Sequence, residues 1–116
     1  MLDRRISFYI PSTQGGNDLT SVKEFNSRAL EVATVFGGLF GGFTISDSNT
    51  GGWIGENGVL VTEKVKQVVA YTDLKGLTRH EKAVRILAKA KARQWRQEAI
   101  SLEIVQVQGG LSFISG

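Results

Sequence analysis

The chain has 116 residues, of which 41% are apolar, with 14 Lys/Arg against 11 Asp/Glu, one histidine and no cysteine. That length and apolar content supply one core, so residues 1–116 read as one domain. The missing cysteines exclude disulfide frameworks, thiolate nucleophiles and cysteine-held zinc or iron–sulfur centres, and the lone His80 excludes a multi-histidine site within one chain; no metal and no cofactor are expected.

In chain order, Arg5 to Ile10 alternates Ile6, Phe8 and Ile10 with Arg5, Ser7 and Tyr9, the period-two pattern of a strand with one buried face. Pro11 and the cluster Gly15-Gly16-Asn17 end it. Ser21 and Glu24 stand at capping-box spacing, in which the serine oxygen satisfies an orphan donor of the first helical turn and the glutamate reaches back. Val22, Phe25, Ala29, Val32, Ala33 and Phe36 then recur at helical spacing, and Gly37-Gly38 is expected to close this helix. Gly41 to Ser46 reads as a second strand, and Val59 to Thr62 followed by Val65 to Thr72 as strand material returning after a long hairpin loop. The run from Val65 to Thr72 carries apolar groups on both faces, the mark of a central strand covered on both sides. Asp73-Leu74-Lys75-Gly76 reads as a turn. Thr78 and Glu81 repeat the capping spacing ahead of a helix of about twenty residues, with Ala83, Val84, Leu87, Ala90 and Trp95 as its apolar face. Leu102 to Val107 is a further strand, and Gly109-Gly110 separates it from Leu111 to Ile114, a short final strand or tail.

Strand, helix, strand, strand, helix, strand is the split β-α-β order, which predicts an α+β, ferredoxin-like fold: an antiparallel sheet with two helices on one face. The other face is left to water, a ligand or a second subunit. The apolar second face of the Val65–Thr72 strand favours the subunit, hence a homo-oligomer, dimer or trimer. No run of about 18 apolar residues occurs, and no signal-peptide apolar region follows Met1-Leu2-Asp3-Arg4-Arg5, so a cytoplasmic protein without a membrane partner is expected.

Eight of the 14 glycines fall between Gly37 and Gly58. Glycines expose backbone N–H groups and permit positive φ, so this segment can form a nest for phosphate, sulfate or carboxylate. No Walker A ending and no strand-to-helix Gly-x-Gly-x-x-Gly accompanies them; turn geometry in a hairpin loop is the plainer explanation. Trp53 in this segment offers an indole plane for a base, an aromatic ligand or a neighbouring subunit, or packs back on its own domain. Phe40 and Phe43 are assigned to the core. The candidate ligand-binding set is Gly41, Gly42, Thr44, Gly51, Gly52, Trp53 and Glu63.

Residues 79–98 hold seven Lys/Arg and two Asp/Glu, a net +5, whereas the remainder nets −2. Lys82, Arg85, Lys89, Arg93 and Arg96 form a stripe that suits a phosphate backbone; a solvated helix face, with Arg93 and Arg96 favoured at the negative end of the helix dipole, accounts for it as well. Asp47, Glu56, Glu63 and Asp73 lie in or beside loops with no sequence sign that they converge, and His80 in the second helix reads first as a surface or capping residue.

The order of elements, the length and the long loop between the second and third strands resemble the PII-like signalling proteins. That resemblance implies a trimeric ferredoxin-like domain whose hairpin loop and intersubunit clefts hold nucleotides or other small anions. The pattern Gly41-Gly42-Phe43-Thr44, Gly52-Trp53, Gly58 and Glu63 is also similar to that of small ferredoxin-like families of bacteria and their phages. The leading expectation is therefore a non-enzymatic homo-oligomer, a sensor or sequestering protein, that binds a small anionic, nucleotide-like ligand between subunits. Three alternatives stand beside it: a nucleic-acid-binding protein using the basic helix, an inhibitor protein of a mobile element, and a cofactor-independent enzyme of the dimeric α+β barrel type. The last places Tyr9, Glu63 or His80 in a pocket between sheet and helices.

Overall fold

A computed structural model describes residues 1–15 and 18–116. The alternation at the start of the chain produces β1 (Leu2–Pro11), which sends Ile6, Phe8 and Ile10 into the core. A two-residue ribbon, β2 (Thr13–Gln14) against β3 (Asp18–Leu19), follows. The turn expected at Gly15-Gly16-Asn17 lies, for its last two residues, outside the described residues.

Helix α1 (Val22–Phe40) starts where the capping spacing predicts: the Ser21 hydroxyl oxygen accepts from the Glu24 N–H at 3.0 Å. The Glu24 carboxylate does not reach back to Ser21; it turns to Arg28, 3.3 Å away. The helix also outlasts Gly37-Gly38. It ends at Gly41, whose φ of 84° lets its N–H bond the Gly37 carbonyl at 2.9 Å, so the glycine that caps is the one in the left-handed conformation.

The second strand is far shorter than Gly41 to Ser46. It consists of β4 (Thr44–Ile45), a break, and then β5 (Asn49–Ile54) inside the segment read as loop. Both pair with the same edge of β6 (Leu60–Thr72), one uninterrupted strand rather than two pieces. Only Gly55–Val59 turns the chain, closed by the Gly55 N–H on the Val59 carbonyl at 2.8 Å.

Helix α2 (Leu74–Gln94) begins four residues before Thr78, at an Asp73 cap whose carboxylate accepts from the Gly76 N–H at 2.7 Å. The expected turn at 73–76 is therefore the cap and first turn of the helix, and the Thr78 hydroxyl donates to the Leu74 carbonyl within it. Its inward face is Leu77 and Val84, joined by Leu87 and Ala88; Ala83 and Ala90 point outward, and Trp95 is buried just beyond the helix. Strand β7 (Leu102–Leu111) runs through Gly109-Gly110, with an irregularity in its pairing to β1. Residues 112–116 carry no regular element.

The sheet order is β4/β5–β6–β1–β7, antiparallel throughout, which is the ferredoxin-like arrangement the sequence predicts. Both helices pack on the face carrying Ile6, Phe8, Ile10, Val68, Ala70, Leu102 and Ile104. The opposite face carries Arg5, Ser7, Tyr9, Val65, Gln67, Val69, Tyr71, Glu103 and Val105 by register and, among the described residues, has no second layer. Strand β6 pairs with β1 only from Val65 onward, so Leu60–Lys64 and Thr50–Ile54 leave the body as a two-stranded arm, and the molecule measures 48 × 26 × 24 Å. Among the described residues no helix is long and apolar enough to cross a membrane.

Candidate functional site

The long β6 places Glu63 at the root of the arm, on the open face, directly opposite Gly51. There its Oε2 accepts from the Thr13 hydroxyl at 2.8 Å and from the Ser12 N–H at 3.3 Å. Both bonds fall on one oxygen. The side chain lines a cleft of about 380 Å³ whose wall also includes Tyr9, Gln67, Asn49, Thr50, Gln97 and Ser101, a volume within the roughly 300–1,000 Å³ of small-molecule sites. Pro11, Val65, Ala99 and Ile100 make its apolar part. Tyr9 and Gln67 are cross-strand partners, so their side chains stand side by side on the floor.

Gly51 leaves room here: an added Cβ would lie 3.3 Å from a Val65 methyl, which would have to give by a few tenths of an ångström. Trp53, opposite Val61, is on the same face two pairs further out along the arm, 43% exposed, and does not line the cleft. Its indole therefore does not pack back on its own domain as a core residue.

The rest of the predicted ligand set does not join this cleft. Gly52 is on the reverse face of the arm, where a Cβ would meet the Val61 carbonyl oxygen at 3.1 Å. Gly41, Gly42 and Thr44 border a second, aromatic hollow of about 430 Å³ near the α1 C-terminus, with Phe43, Tyr71 and Phe113. Phe40 packs against the core as expected, but Phe43 is exposed. Of the loop carboxylates only Glu63 enters the cleft; Asp73 is a helix cap, and Asp47 and Glu56 are exposed. No group of three metal-ligating side chains occurs among the described residues.

The enzyme reading expected Tyr9, Glu63 or His80 between sheet and helices. Tyr9 and Glu63 do meet, but on the uncovered side of the sheet. His80 lies apart from them, its ring edge-on to Phe40 at 5.7 Å.

A larger open groove of about 890 Å³ runs between α2 and the start of β7, floored by Ile86, Ala88, Ile100 and Leu102, with Lys82, Arg85 and Lys89 along it. Arg85 is engaged by Glu81 at 2.9 Å. Arg93 is exposed, and Arg96 has left the helix with φ of 51°, its carbonyl accepting from the Gly15 N–H, so the expected five-residue stripe is a four-residue one. The charged groups here project outward from one helix, whereas in the smaller cleft the polar groups of four segments converge. Convergence identifies the smaller cleft as the candidate site.

Its charge overturns the expected ligand. The lining holds a carboxylate and, among the described residues, no lysine or arginine, which suits a cation or a hydrogen-bond donor and not a small anion. Gln67 and Gln97 were missed from the sequence because amides at these spacings belong to no motif.

No family model and no curated protein matches this chain. Among solved structures, a phage SAM lyase in complex with S-methyl-5'-thioadenosine matches with a TM-score of 0.62 at 16% identity, covering 90% of this chain and 81% of that one. The same kind of enzyme in its apo state matches with a TM-score of 0.62 at 18% identity over the same shares. The likeness is one of fold alone; the PII-like resemblance finds no support in it. It also corrects the leading expectation. Both matched structures are of an enzyme, so the non-enzymatic binding protein gives way to the enzyme alternative.

Proposed function

We propose that this protein is a lyase that cleaves S-adenosylmethionine and releases S-methyl-5'-thioadenosine. The observation that carries the reading is the cleft itself: a carboxylate fixed at one oxygen, a phenol, three amides and an apolar wall, without a basic side chain among the described residues, on a fold shared with a phage SAM lyase. The substrate is a sulfonium cation rich in hydroxyl and ammonium donors. Its cleavage to S-methyl-5'-thioadenosine breaks the bond between sulfur and the amino-acid side chain, and the electron pair of that bond neutralises the sulfur. No water is added, so the departing carbon completes its valence by bonding to the substrate's own carboxylate oxygen, which closes a lactone and releases no proton.

Such a reaction needs little acid–base help, because a neutral thioether leaves without protonation. It gains from surroundings that do not solvate the vanishing positive charge, which is the part assigned to Pro11, Val65, Ala99 and Ile100. A carboxylate touching the sulfur would stabilise the cation more than the transition state. Glu63 is therefore assigned to the ribose hydroxyls or the ammonium group, with Tyr9 as a face for the adenine ring. Incubation of the purified protein with S-adenosylmethionine, followed by chromatography, is expected to show S-methyl-5'-thioadenosine accumulating over many turnovers. Recovery of unchanged substrate would refute the assignment.

The working form in this proposal is a homo-oligomer. Two-stranded ribbons are marginal in water on their own, and this arm exposes Ile54 to 66% and Leu60 to 63% with no layer against either face. Native mass spectrometry is expected to give a multiple of the 12.6 kDa chain mass, and Ile54→Ser with Leu60→Ser to move it to the monomer. A wild-type monomer at micromolar concentration would contradict this part.

A further inference from the structure

The carboxylate of Glu63 is held by a strap, and the strap is held by a buried arginine. Arg28, 1% exposed, stands on the otherwise apolar inner stripe of α1 between Phe25 and Val32. Its Nη1 donates to the Pro11 carbonyl at 2.8 Å and to the Thr13 carbonyl at 2.9 Å, and its guanidinium lies 4.9 Å from the centre of the Trp95 ring. Ser12 is the bend between β1 and β2, and with the carbonyls on either side of it, those of Pro11 and Thr13, held by Arg28, its N–H donates to Glu63 at 3.3 Å. The Ser12 carbonyl completes the far side by accepting the Thr20 N–H at 2.8 Å.

This arrangement is poor as a stabilising device. Among the described residues, the buried side-chain polar atoms without a partner are Arg28 Nη2, Trp95 Nε1 and Ser12 Oγ, all at this junction. A buried charge with an open donor destabilises a fold relative to an apolar residue of the same volume. Its retained service is geometric. The geometry points to Arg28 as a positioning residue that fixes the Glu63 carboxylate through the Pro11–Thr13 strap, an inference that rests on the lyase reading for its consequence in turnover.

A double-mutant cycle tests it. Arg28→Lys keeps the charge but replaces the planar fork, and Thr13→Val removes the hydroxyl that donates to Glu63 at 2.8 Å together with its long contact to the Gln97 amide at 3.5 Å. Each is expected to lower kcat/KM for S-adenosylmethionine about tenfold in the wild type, yet by no more than about twofold in a Glu63→Gln background, because all three act through one group. A structural role alone would lower the melting temperature and leave the effects additive, and additivity overturns the inference. An activity-free readout separates the two claims. In the wild type, Glu63→Gln is expected to move the Ser12 amide proton resonance upfield; in Arg28→Lys that resonance already sits upfield and Glu63→Gln moves it no further. If the wild type fails to cleave S-adenosylmethionine the lyase reading falls, while the Ser12 resonance still decides the role of Arg28; an unchanged Glu63→Gln response in Arg28→Lys overturns it.

Discussion

Replacing Glu63 by glutamine is expected to lower kcat/KM for S-adenosylmethionine by roughly ten- to a hundredfold with the fold intact. The substitution preserves volume, and because both strap bonds fall on one oxygen, the amide oxygen in that place still accepts from the Thr13 hydroxyl and the Ser12 N–H. What it removes is the charge. A hydrogen bond to a charged group contributes about 1.5–3 kcal/mol, and each 1.4 kcal/mol or so is a factor of ten. The side chain lies on the open face at the root of the arm, outside the core, so thermal unfolding should stay close to that of the wild type. Steady-state kinetics with a melting curve checks both halves. Unaltered kinetics would remove Glu63 from the site.

Phe36→Ala is expected to produce the largest loss of stability, about 3–5 kcal/mol, the range for deleting a buried aromatic ring. Phe36 is fully buried in α1 and stands edge-on to two other rings, Phe8 of β1 at 6.1 Å and Phe40 at 5.6 Å. Its removal opens a cavity at the seam between helix and sheet, which the strands cannot collapse to fill. Against the 5–15 kcal/mol total of a typical domain, that takes a large part of the margin. Urea unfolding followed by circular dichroism measures it, and a loss under about 1 kcal/mol would show that the seam repacks.

The sheet order was legible because two signals are strong in this chain. Ile6, Phe8 and Ile10 alternate cleanly, and the run from Val65 to Thr72 has apolar side chains on both faces, of which Val68 and Ala70 enter the core while Val65, Val69 and Tyr71 lie on the open side. Helix ends were less legible. Gly37-Gly38 looks like a stop, yet neither has a positive φ, so the helix runs through both and ends at the left-handed Gly41. At the start of α2 two caps compete, and Asp73 wins over Thr78 because its carboxylate bonds the Gly76 N–H and adds a turn. Strand β5 was hidden since Gly51 and Gly52 disfavour a strand by propensity. They form one only because β6 offers them a ladder.

The site was half visible. Glu63 and Trp53 were singled out among the loop residues, and register alone puts them on one face with Gly51. Tyr9 entered only through the enzyme alternative. Gln97 joins from beyond α2, where its amide donates to the Thr13 carbonyl at 2.7 Å, a contact between residues 84 apart that no local pattern encodes. Arg28 did leave a trace: it is the one charged residue on the stripe of Phe25, Ala29, Val32, Ala33 and Phe36. A cation at a core position calls for a partner, and here the partners are backbone carbonyls of the strap that holds the carboxylate.

The central claim is that the cleft beside Glu63 receives the nucleoside. Titrating isotope-labelled protein with S-methyl-5'-thioadenosine and following amide resonances tests it most directly. The account predicts saturable shifts at Ser12, Gly51, Glu63 and Gln67, with Ile86 and Leu102 in the α2–β7 groove unmoved. Shifts confined to that groove, or none at millimolar ligand, would contradict it.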